Sequence, residues 1–228
     1  MRKISQMTVM IDIKIYLTSA IKLFIIPIVN QYNSRGLTIG GVKMSLQLRE
    51  WIIASLFAAI IAILAQISIP IAFSPVPLTG QTLAIGLVAT ILNKKTAVLA
   101  TTIYILTGAV GMPVYSNGSG GIGVLFGATG GYLFSFVLVT FLISFYLEKT
   151  NYNMVQALII NHIAMIVTLL IGTTWLKIFA SMSWEAAFIS GFTPFLLFGI
   201  VKAILSAWLG IKVRERLVAS KLIYSKKG

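Results

Sequence analysis

The sequence has no cysteine, one histidine (His162) and only five acidic residues among 228. Without cysteine there are no disulfides, thiolate metal sites or cysteine nucleophiles. One imidazole and five carboxylates leave little material for a metal site or an acid–base pair. We therefore expect no catalytic residues and no metal in this chain, and a function that depends on shape, hydrogen bonds and a few charges.

Charged residues are also scarce, at 10% of the chain, whereas hydrophobic residues make up 58%. A soluble domain of this length cannot bury so much apolar surface, which predicts a membrane protein. Six apolar runs predict an all-α fold, a bundle of six transmembrane helices. The second and third runs are short for a bilayer, so their outer ends are expected to meet non-helical protein inside the membrane. The predicted spans are residues 51–69, 79–92, 97–110, 132–147, 154–176 and 192–213.

The net charge of +13 comes from basic residues that lie mostly at the ends of the apolar runs. If the first span enters from the cytoplasm, Arg49, the Lys94–Lys95 pair and Lys149 all fall on the cytoplasmic side. The outward segments 70–80 and 111–131 carry no charge. This positive-inside pattern predicts a multi-pass protein of the cell membrane with both termini in the cytoplasm, bound to the lipid bilayer and not to nucleic acid.

Residues 1–43 differ from the core and form a predicted N-terminal extension, which leaves 44–228 as the membrane domain. The stretch 9–29 is apolar but interrupted by charges, and an interfacial amphipathic helix fits this pattern. The alternative is that residues 1–43 are upstream sequence. The letters GGVKM can be encoded by a purine-rich ribosome-binding sequence before an ATG, as in bacterial genes. Translation would then start at Met44 rather than at Met1.

The segment 113–132, PVYSNGSGGIGVLFGATGGY, contains seven of the 19 glycines and no charged residue. Gly118, Gly120 and Gly123 have the G-x-G-x-x-G spacing of a dinucleotide site, but that motif needs a soluble βαβ unit, and here predicted spans flank it. No lysine follows a glycine as in a Walker A loop. The pattern instead predicts a loop that packs closely over an apolar ligand and can open.

Polar residues inside or beside the apolar runs are the candidates for ligand binding. Lys202 lies near the middle of span six, and no acid is placed to pair with it, so we expect it to contact a polar or anionic ligand group. Gln81 begins span two, with Thr82 beside it, and its amide has the donors and acceptors that suit an amide or ureido group. Capping or helix–helix hydrogen bonding is the alternative for Gln81.

Two tyrosines and the histidine also have competing interpretations. Tyr104 and Tyr132 are expected near the outer face, where they either contact a ligand or belong to the interfacial tyrosine belt of a membrane protein. His162 is expected to form a hydrogen bond with a neighbouring helix rather than with a ligand.

Ala54, Ala58 and Ala62 recur every four residues along span one. Small residues at this spacing allow another helix to approach closely. That helix could belong to this chain or to a separate membrane subunit.

Several segments together resemble the BioY family over about residues 50–215: SPVPLTGQTLA, LTGAVGMPVYSNGSGGIGVLFGATGGY, GFTPF and Lys202. Members of this family are the substrate-binding S components of energy-coupling-factor biotin transporters. The resemblance implies a small six-helix membrane protein that captures biotin from outside with high affinity. It also implies docking onto a transmembrane coupling subunit and two ATPase subunits, which use the ATP. This chain is then not an enzyme and needs no cofactor.

The resemblance also assigns roles to residues. Gln81, Tyr104 and Lys202 become pocket candidates, together with the tip of the glycine loop, and the loops after helices one and three would close over the ligand. In that family the alanine face of helix one contacts the coupling subunit, which favours the separate-subunit interpretation of the alanines. The tip residues are Asn117, Gly118, Ser119, Gly120 and Gly121.

The sequence departs from the family pattern at two positions. Gly199 stands where many members have an aspartate that helps to hold the biotin head group, and Ser119 stands where some have an arginine. The same scaffold binding another small vitamin is therefore the alternative function. A membrane-embedded enzyme would need an acid–base set that the spans lack, and a purely structural subunit would have no reason to bury Lys202.

Overall fold

A computed structural model of the chain describes residues 38–39, 42–43, 46–220 and 222–223. The chain divides into two compact units, residues 1–49 and 50–228. In the first unit the described part is an antiparallel hairpin, β1 (Thr38–Ile39) with β2 (Val42–Lys43), and the first residues of helix α1. The interfacial helix predicted within residues 9–29 lies outside the described residues.

The second unit is helical, with one further hairpin, and helices occur at all six positions where spans are predicted. The all-α class is therefore confirmed. The sequence does not predict α4 and α7, which are short helices in the outward segments. The helices are α1 (Leu46–Ala65), α2 (Gln81–Ile91), α3 (Lys94–Ala109), α4 (Ile122–Leu125), α5 (Gly130–Lys149), α6 (Met154–Phe179), α7 (Trp184–Gly191) and α8 (Thr193–Ala219), and the hairpin pairs β3 (Ser68–Ile69) with β4 (Leu78–Thr79).

Four helical stretches are long and apolar enough to cross a membrane, judged by length and composition: Leu48–Ala65, Gly130–Lys149, Met154–Phe179 and Trp184–Ala219. By contrast, α2 has 11 residues, about 16 Å of helix, roughly half of the ~30 Å hydrocarbon core. β4 directly precedes it, so the chain before α2 is non-helical. Six membrane crossings and two cytoplasmic termini stay predictions.

Side-chain caps fix where several of the helices begin. Asn93, between α2 and α3, accepts a hydrogen bond from the backbone N of Thr96 at 2.9 Å. Asn153 caps α6 and Ser183 caps α7 in the same way. These side chains satisfy N–H groups that the first turn of a helix leaves unpaired. The chain can therefore turn sharply between α2 and α3.

The core forms where α5 packs against α6 and where α8 packs against α2 and α6. The close approach of α5 to α6 requires Gly172, because a methyl group there would collide with the ring of Tyr132. α3 packs against α5, where the buried hydroxyl oxygens of Thr101 and Thr140 lie 3.0 Å apart. α2, α5, α6 and α8 surround an interior volume, which is the candidate site.

Arg214 joins α8 to the ends of α2 and α5. It is 5% exposed, its Nη1 donates to Ile91 O at 2.5 Å, and its guanidinium carbon lies 3.3 Å from the centre of the Tyr152 ring. Nearby, Glu148 Oε1 accepts a hydrogen bond from Lys94 N at 2.6 Å. Burial raises the pKa of Tyr152 to about 12 although the charge of Arg214 opposes this shift. The phenol is therefore neutral and presents its ring face to the cation.

We expect Arg214→Ala to lower the thermal midpoint of the purified protein in detergent by several degrees. The change removes a donor to a buried carbonyl and a cation from a ring face, together about 2 kcal/mol. Lys212→Ala is the matched control, because Lys212 is 59% exposed and pairs with Glu215 across 3.5 Å at the surface, an interaction worth about 1 kcal/mol or less. Equal midpoints for the two variants would contradict the role given to Arg214.

Candidate functional site

A cavity of about 950 Å³, including the space at its opening, lies between α2, α5, α6 and α8. One end of the cavity, termed the loop end, is formed by Val76, Pro77, Thr79, Tyr115, Ser116, Val124 and Thr129. The opposite end, termed the inner end, is formed by Ile143, Asn161 and Ser206.

The wall between the two ends is mainly apolar. Residues three or four apart on a helix share a face, so each helix contributes one apolar stripe. Among the described residues that line the cavity, Lys202 alone carries a charge. The wall consists chiefly of Ile85 on α2, Leu133, Phe136 and Val139 on α5, Ala164, Met165 and Leu169 on α6, and Phe195, Gly199 and Ala203 on α8.

Lys202 reaches the cavity from α8 and is partly held by the protein itself. Its Nζ donates to Thr79 O at 2.7 Å and to Thr82 Oγ1 at 3.3 Å. An ammonium group has three N–H donors, so one remains for a ligand. The described lining contains no carboxylate to neutralise the charge. Lys202 and Thr82 are therefore both at the cavity, as the sequence predicts, although their contact with a ligand stays a prediction.

Gln81 lines the cavity, and Tyr104 stands behind it. Gln81 Oε1 accepts a hydrogen bond from Thr79 Oγ1 at 2.9 Å, while its Nε2 donates to the Tyr104 hydroxyl at 2.6 Å. Tyr104 is 1% exposed and is not among the lining residues. The structure thus places Tyr104 where it orients Gln81, one side chain away from the cavity.

Tyr132 also lines the cavity, but its hydroxyl is already used. It donates to Gly191 O at 2.7 Å at the end of α7. The ring centre lies 6.3 Å from that of Phe195, which lines the same cavity. Tyr132 can therefore offer a ligand an aromatic surface, whereas its hydroxyl hydrogen is used within the protein.

The glycine loop contributes to the loop end through Tyr115 and Ser116, whereas the predicted tip residues are absent from the described lining. Asn117, Gly118 and Gly121 have positive φ angles of 57°, 65° and 97°, a conformation that favours glycine and asparagine. The tip thus turns beside the cavity. Burial raises the pKa of Tyr115 to about 12, so its hydroxyl stays protonated and donates to Ile105 O at 2.6 Å. The ligand contacts predicted for Asn117, Gly118, Ser119, Gly120 and Gly121 stay predictions.

Gln66, at the end of α1, holds the glycine loop and was missed by the sequence reasoning. Its Nε2 donates to Tyr115 O at 3.1 Å and to Val114 O at 3.3 Å, and its Oε1 accepts from Gly118 N at 2.9 Å. The same Nε2 donates to Ala62 O at 3.0 Å. A polar side chain at the end of an apolar run was the available signal. Gln66 links the end of α1 to the segment that forms the loop end of the cavity.

We expect Gln66→Ala to raise the rate of amide hydrogen exchange at Gly118 by about fivefold, because one hydrogen bond of about 1 kcal/mol is lost there. Gln156→Ala is the matched control, because Gln156 Oε1 accepts from the Tyr146 hydroxyl and has no bond to the glycine loop. Exchange at Gly118 should therefore stay at the wild-type rate in Gln156→Ala. Equal exchange in the two alanine variants, measured by mass spectrometry, would show that Gln66 does not hold the loop.

Two predictions change when the side chains are placed. Ala54 is fully buried and Ala58 is 6% exposed within this chain, with Ala62 partly buried, so the partner of this stripe in the structure is the chain itself. Contact between this stripe and a separate subunit stays a prediction. His162 Nδ1 lies 2.7 Å from Leu158 O of its own helix, so the prediction that it bonds a neighbouring helix is wrong.

Two polar residues of the inner end were also missed. Asn161 lies within the predicted span 154–176 and Ser206 within 192–213, and both line the cavity. Their polarity inside apolar runs was a signal, but many buried serines and asparagines only bond their own backbone. Asn161 and Ser206 differ from such residues because both line the cavity.

Residues 38–219 match the family model described as the BioY family. The chain is 46% identical over 157 residues to the biotin transporter BioY2 of Lactococcus lactis, covering 69% of this chain and 85% of that protein. It is 35% identical over 168 residues to the biotin transporter BioY of Thermotoga maritima, covering 74% of this chain and 97% of that protein. The crystal structure of the S-component for biotin from an ECF-type ABC transporter matches with a TM-score of 0.69 and 26% identity, covering 75% of this chain and 95% of that one.

Proposed function

The chain belongs to the BioY family, and on this premise we propose that it captures biotin from outside the cell and delivers it across the membrane. The observation that carries this function is the apolar cavity with one cation, Lys202, and no carboxylate among the described lining residues. Biotin joins a compact ring with a cyclic urea to a carboxylate through a hydrocarbon chain. Such a ligand suits an apolar wall with a few polar groups. The named relatives are transporters rather than enzymes, and we assign catalysis to no residue.

Within the cavity, Lys202, Gln81 and Thr82 supply polarity and the aromatic rings supply surface. The remaining N–H of Lys202 donates to a ligand oxygen, and Thr82 holds the ammonium in place. Gln81 is oriented by Tyr104, so its amide has a fixed direction at the cavity wall. Movement of the glycine loop at the loop end would then admit and release the ligand.

We further propose that delivery uses other chains: a transmembrane coupling subunit and two ATPase subunits, which hydrolyse the ATP. A similar solved structure carries the name S-component of an ECF-type ABC transporter, which supports this assignment. No three His, Cys, Asp or Glu side chains of the described residues come together as metal ligands. The proposal includes no metal and no other cofactor in this chain.

The coupling subunit is expected to pack on the exposed side of α1 rather than on the buried alanines. Ser55 and Ala59 are exposed, lie four residues apart and are flanked by the exposed apolar side chains of Ile52, Leu56 and Ile63. Small residues at this spacing let a partner helix approach closely. The proposed contact surface, Ser55 and Ala59, is thus shifted by one residue along α1 from the alanine repeat that begins at Ala54.

We place the protein in the cell membrane of a bacterium, with six crossings and both termini in the cytoplasm. The distribution of basic residues supports this orientation. The relatives from Lactococcus lactis and Thermotoga maritima support a bacterial source. In this orientation the glycine loop and the loop end of the cavity face outward.

Titration of the purified protein with biotin in detergent tests the function, and nanomolar binding is the expected result. Absence of binding to biotin together with binding of another vitamin would select the alternative ligand on the same scaffold. Uptake of labelled biotin into cells, measured with and without co-expressed coupling and ATPase subunits, tests the delivery step separately. Uptake that is independent of those subunits would contradict the proposed partners.

A further inference from the structure

The inner end of the cavity contains a buried amide whose oxygen has no protein partner among the described residues. Asn161 is 4% exposed, and its Nδ2 donates to Ala157 O at 2.9 Å and to Thr90 Oγ1 at 3.0 Å. A backbone carbonyl can only accept, so the amide atom that faces Ala157 must be nitrogen, which fixes the orientation of the group. Both N–H donors of Asn161 are thereby used. Its Oδ1 remains as an acceptor at the cavity.

Ser206 places a second acceptor beside the first. Its Oγ donates to Leu83 O at 3.1 Å, so the hydroxyl hydrogen is used and the oxygen lone pairs remain. A methyl group on Gly86 would lie 2.5 Å from Ser206 Oγ and 2.8 Å from Asn161 Oδ1, closer than van der Waals contact. The two oxygens therefore border the same small space, and all three residues line the cavity.

The inner end thus offers hydrogen-bond acceptors and no donor from these side chains. Acceptors that face a mostly apolar cavity orient a ligand by its donors, so a matching ligand brings N–H or O–H groups to this end. A carboxylate is an acceptor only and does not fit there. The carboxylate of a ligand must then point toward the loop end.

Lys202 lies one helical turn from Ser206 toward the loop end, about 6 Å along α8. Both side chains therefore enter the cavity from the same helix, one turn apart. A cyclic urea presents a carbonyl acceptor with an N–H donor on each side. On the premise that biotin is the ligand, as proposed above, we propose that Asn161 Oδ1 and Ser206 Oγ together accept one of the two urea N–H groups while Lys202 Nζ donates to the urea oxygen.

Position 199 on α8 offers no acceptor from its own side chain, because it is a glycine. A methyl group on Gly199 would lie 2.9 Å from both Cγ and Sδ of Met165, so the Met165 side chain fills the space where a side chain at position 199 would stand. Thioether sulfur is only a weak acceptor. The acceptors proposed for the urea N–H are therefore Asn161 on α6 and Ser206 on the inner part of α8, and position 199 adds none.

The test uses biotin and its two lactam analogues, in each of which one urea N–H is replaced by CH₂. Wild-type protein should bind one lactam about tenfold more tightly than the other, because only one of them keeps the N–H that faces Asn161. Asn161→Leu should lower the affinity for biotin and for the preferred lactam about tenfold, and leave the affinity for the other lactam within twofold. Isothermal titration measures all three ligands.

Thr101→Val is the matched control, because it removes a buried hydrogen bond between helices that does not line the cavity. It should bind biotin within twofold of the wild type. Equal affinity of the wild type for both lactams would overturn the acceptor site even if Asn161→Leu fails to fold. An equal loss for both lactams in Asn161→Leu would assign a purely structural role to Asn161. Wild-type protein that binds neither biotin nor the lactams would overturn the proposed function and this site with it, whereas biotin binding without lactam discrimination would overturn the site alone.

Discussion

Lys202→Ala is expected to lower the affinity for biotin by roughly 10- to 100-fold. A hydrogen bond to a charged group in a buried site contributes about 1.5–3 kcal/mol, which corresponds to that range. The loss should be large because Lys202 is the one charged residue among the described lining residues, and no neighbouring cation can replace it. Titration of the purified variant with biotin measures the change.

Two further variants separate the ligand contact from the internal bonds of Lys202. Thr82→Val removes the weaker of its two protein contacts, at 3.3 Å, and leaves the bond to Thr79 O at 2.7 Å. It should lower the affinity by less than about fivefold, since a typical neutral hydrogen bond contributes about 1 kcal/mol. Lys202→Met keeps the length of the side chain without its charge, and it should behave like the alanine variant.

An affinity of Lys202→Ala within twofold of the wild type would contradict the binding role of the ammonium group. The same result for Thr82→Val alone would not, because the bond to Thr79 still holds the lysine. A fall in thermal stability without a fall in affinity would instead assign Lys202 to the connection between α8 and the hairpin. The three variants therefore separate a contact with the ligand from a contact within the protein.

The fold class and the main charge of the site could be predicted because each depends on composition or on one unusual residue. Six apolar runs give six helices, since the backbone of a long apolar segment in lipid must satisfy its own hydrogen bonds. A lysine within such a run is expensive unless it faces the interior. Lys202 does line the cavity, as does Gln81.

The rest of the site depends on geometry that the order of residues does not contain. Tyr104 and Gln81 are 23 positions apart, and only the packing of α2 against α3 makes one support the other. Gln66 and Gly118 are separated by 52 positions, and their hydrogen bond requires the loop to fold back to the end of α1. Asn161 lies in an apolar run, and only the partners of its amide nitrogen, Ala157 O and Thr90 Oγ1, show that its oxygen remains as an acceptor.

The alanine repeat on α1 shows that sequence spacing does not reveal in which direction a stripe of small residues faces. Ala54 and Ala58 do lie on one stripe, but that stripe is buried, and the exposed small residues are Ser55 and Ala59. Adjacent positions on a helix differ by about 100° in direction, so a shift of one residue changes the neighbour completely. The spacing of small residues predicts that another helix packs closely against α1. The rotation of α1 about its axis decides which helix that is.

Gly108→Ala is expected to lower the affinity for biotin by about tenfold, although alanine is normally favoured over glycine in a helix by about 1 kcal/mol. A methyl group on Gly108 would collide with the ring of Tyr115, which is 1% exposed and forms part of the loop end. That ring meets the ring of Tyr104 edge to face at 5.6 Å, and Tyr104 in turn holds Gln81. Overpacking of this kind costs about 1–3 kcal/mol and would be transmitted to the cavity wall.

Gly123→Ala provides the matched control in the glycine loop, because no atom lies within 4 Å of the added methyl group. It should bind biotin as the wild type does. In a Tyr115→Ala background, Gly108→Ala should have no further effect on the titrated affinity, because the ring that it displaces is gone. If Gly108→Ala and Gly123→Ala bind biotin equally well, the path from Gly108 through Tyr115 and Tyr104 to Gln81 does not shape the site. If the effects of Gly108→Ala and Tyr115→Ala on the affinity are additive in the variant that carries both, Gly108 acts on the cavity without Tyr115. The loop end is then positioned by α3 itself.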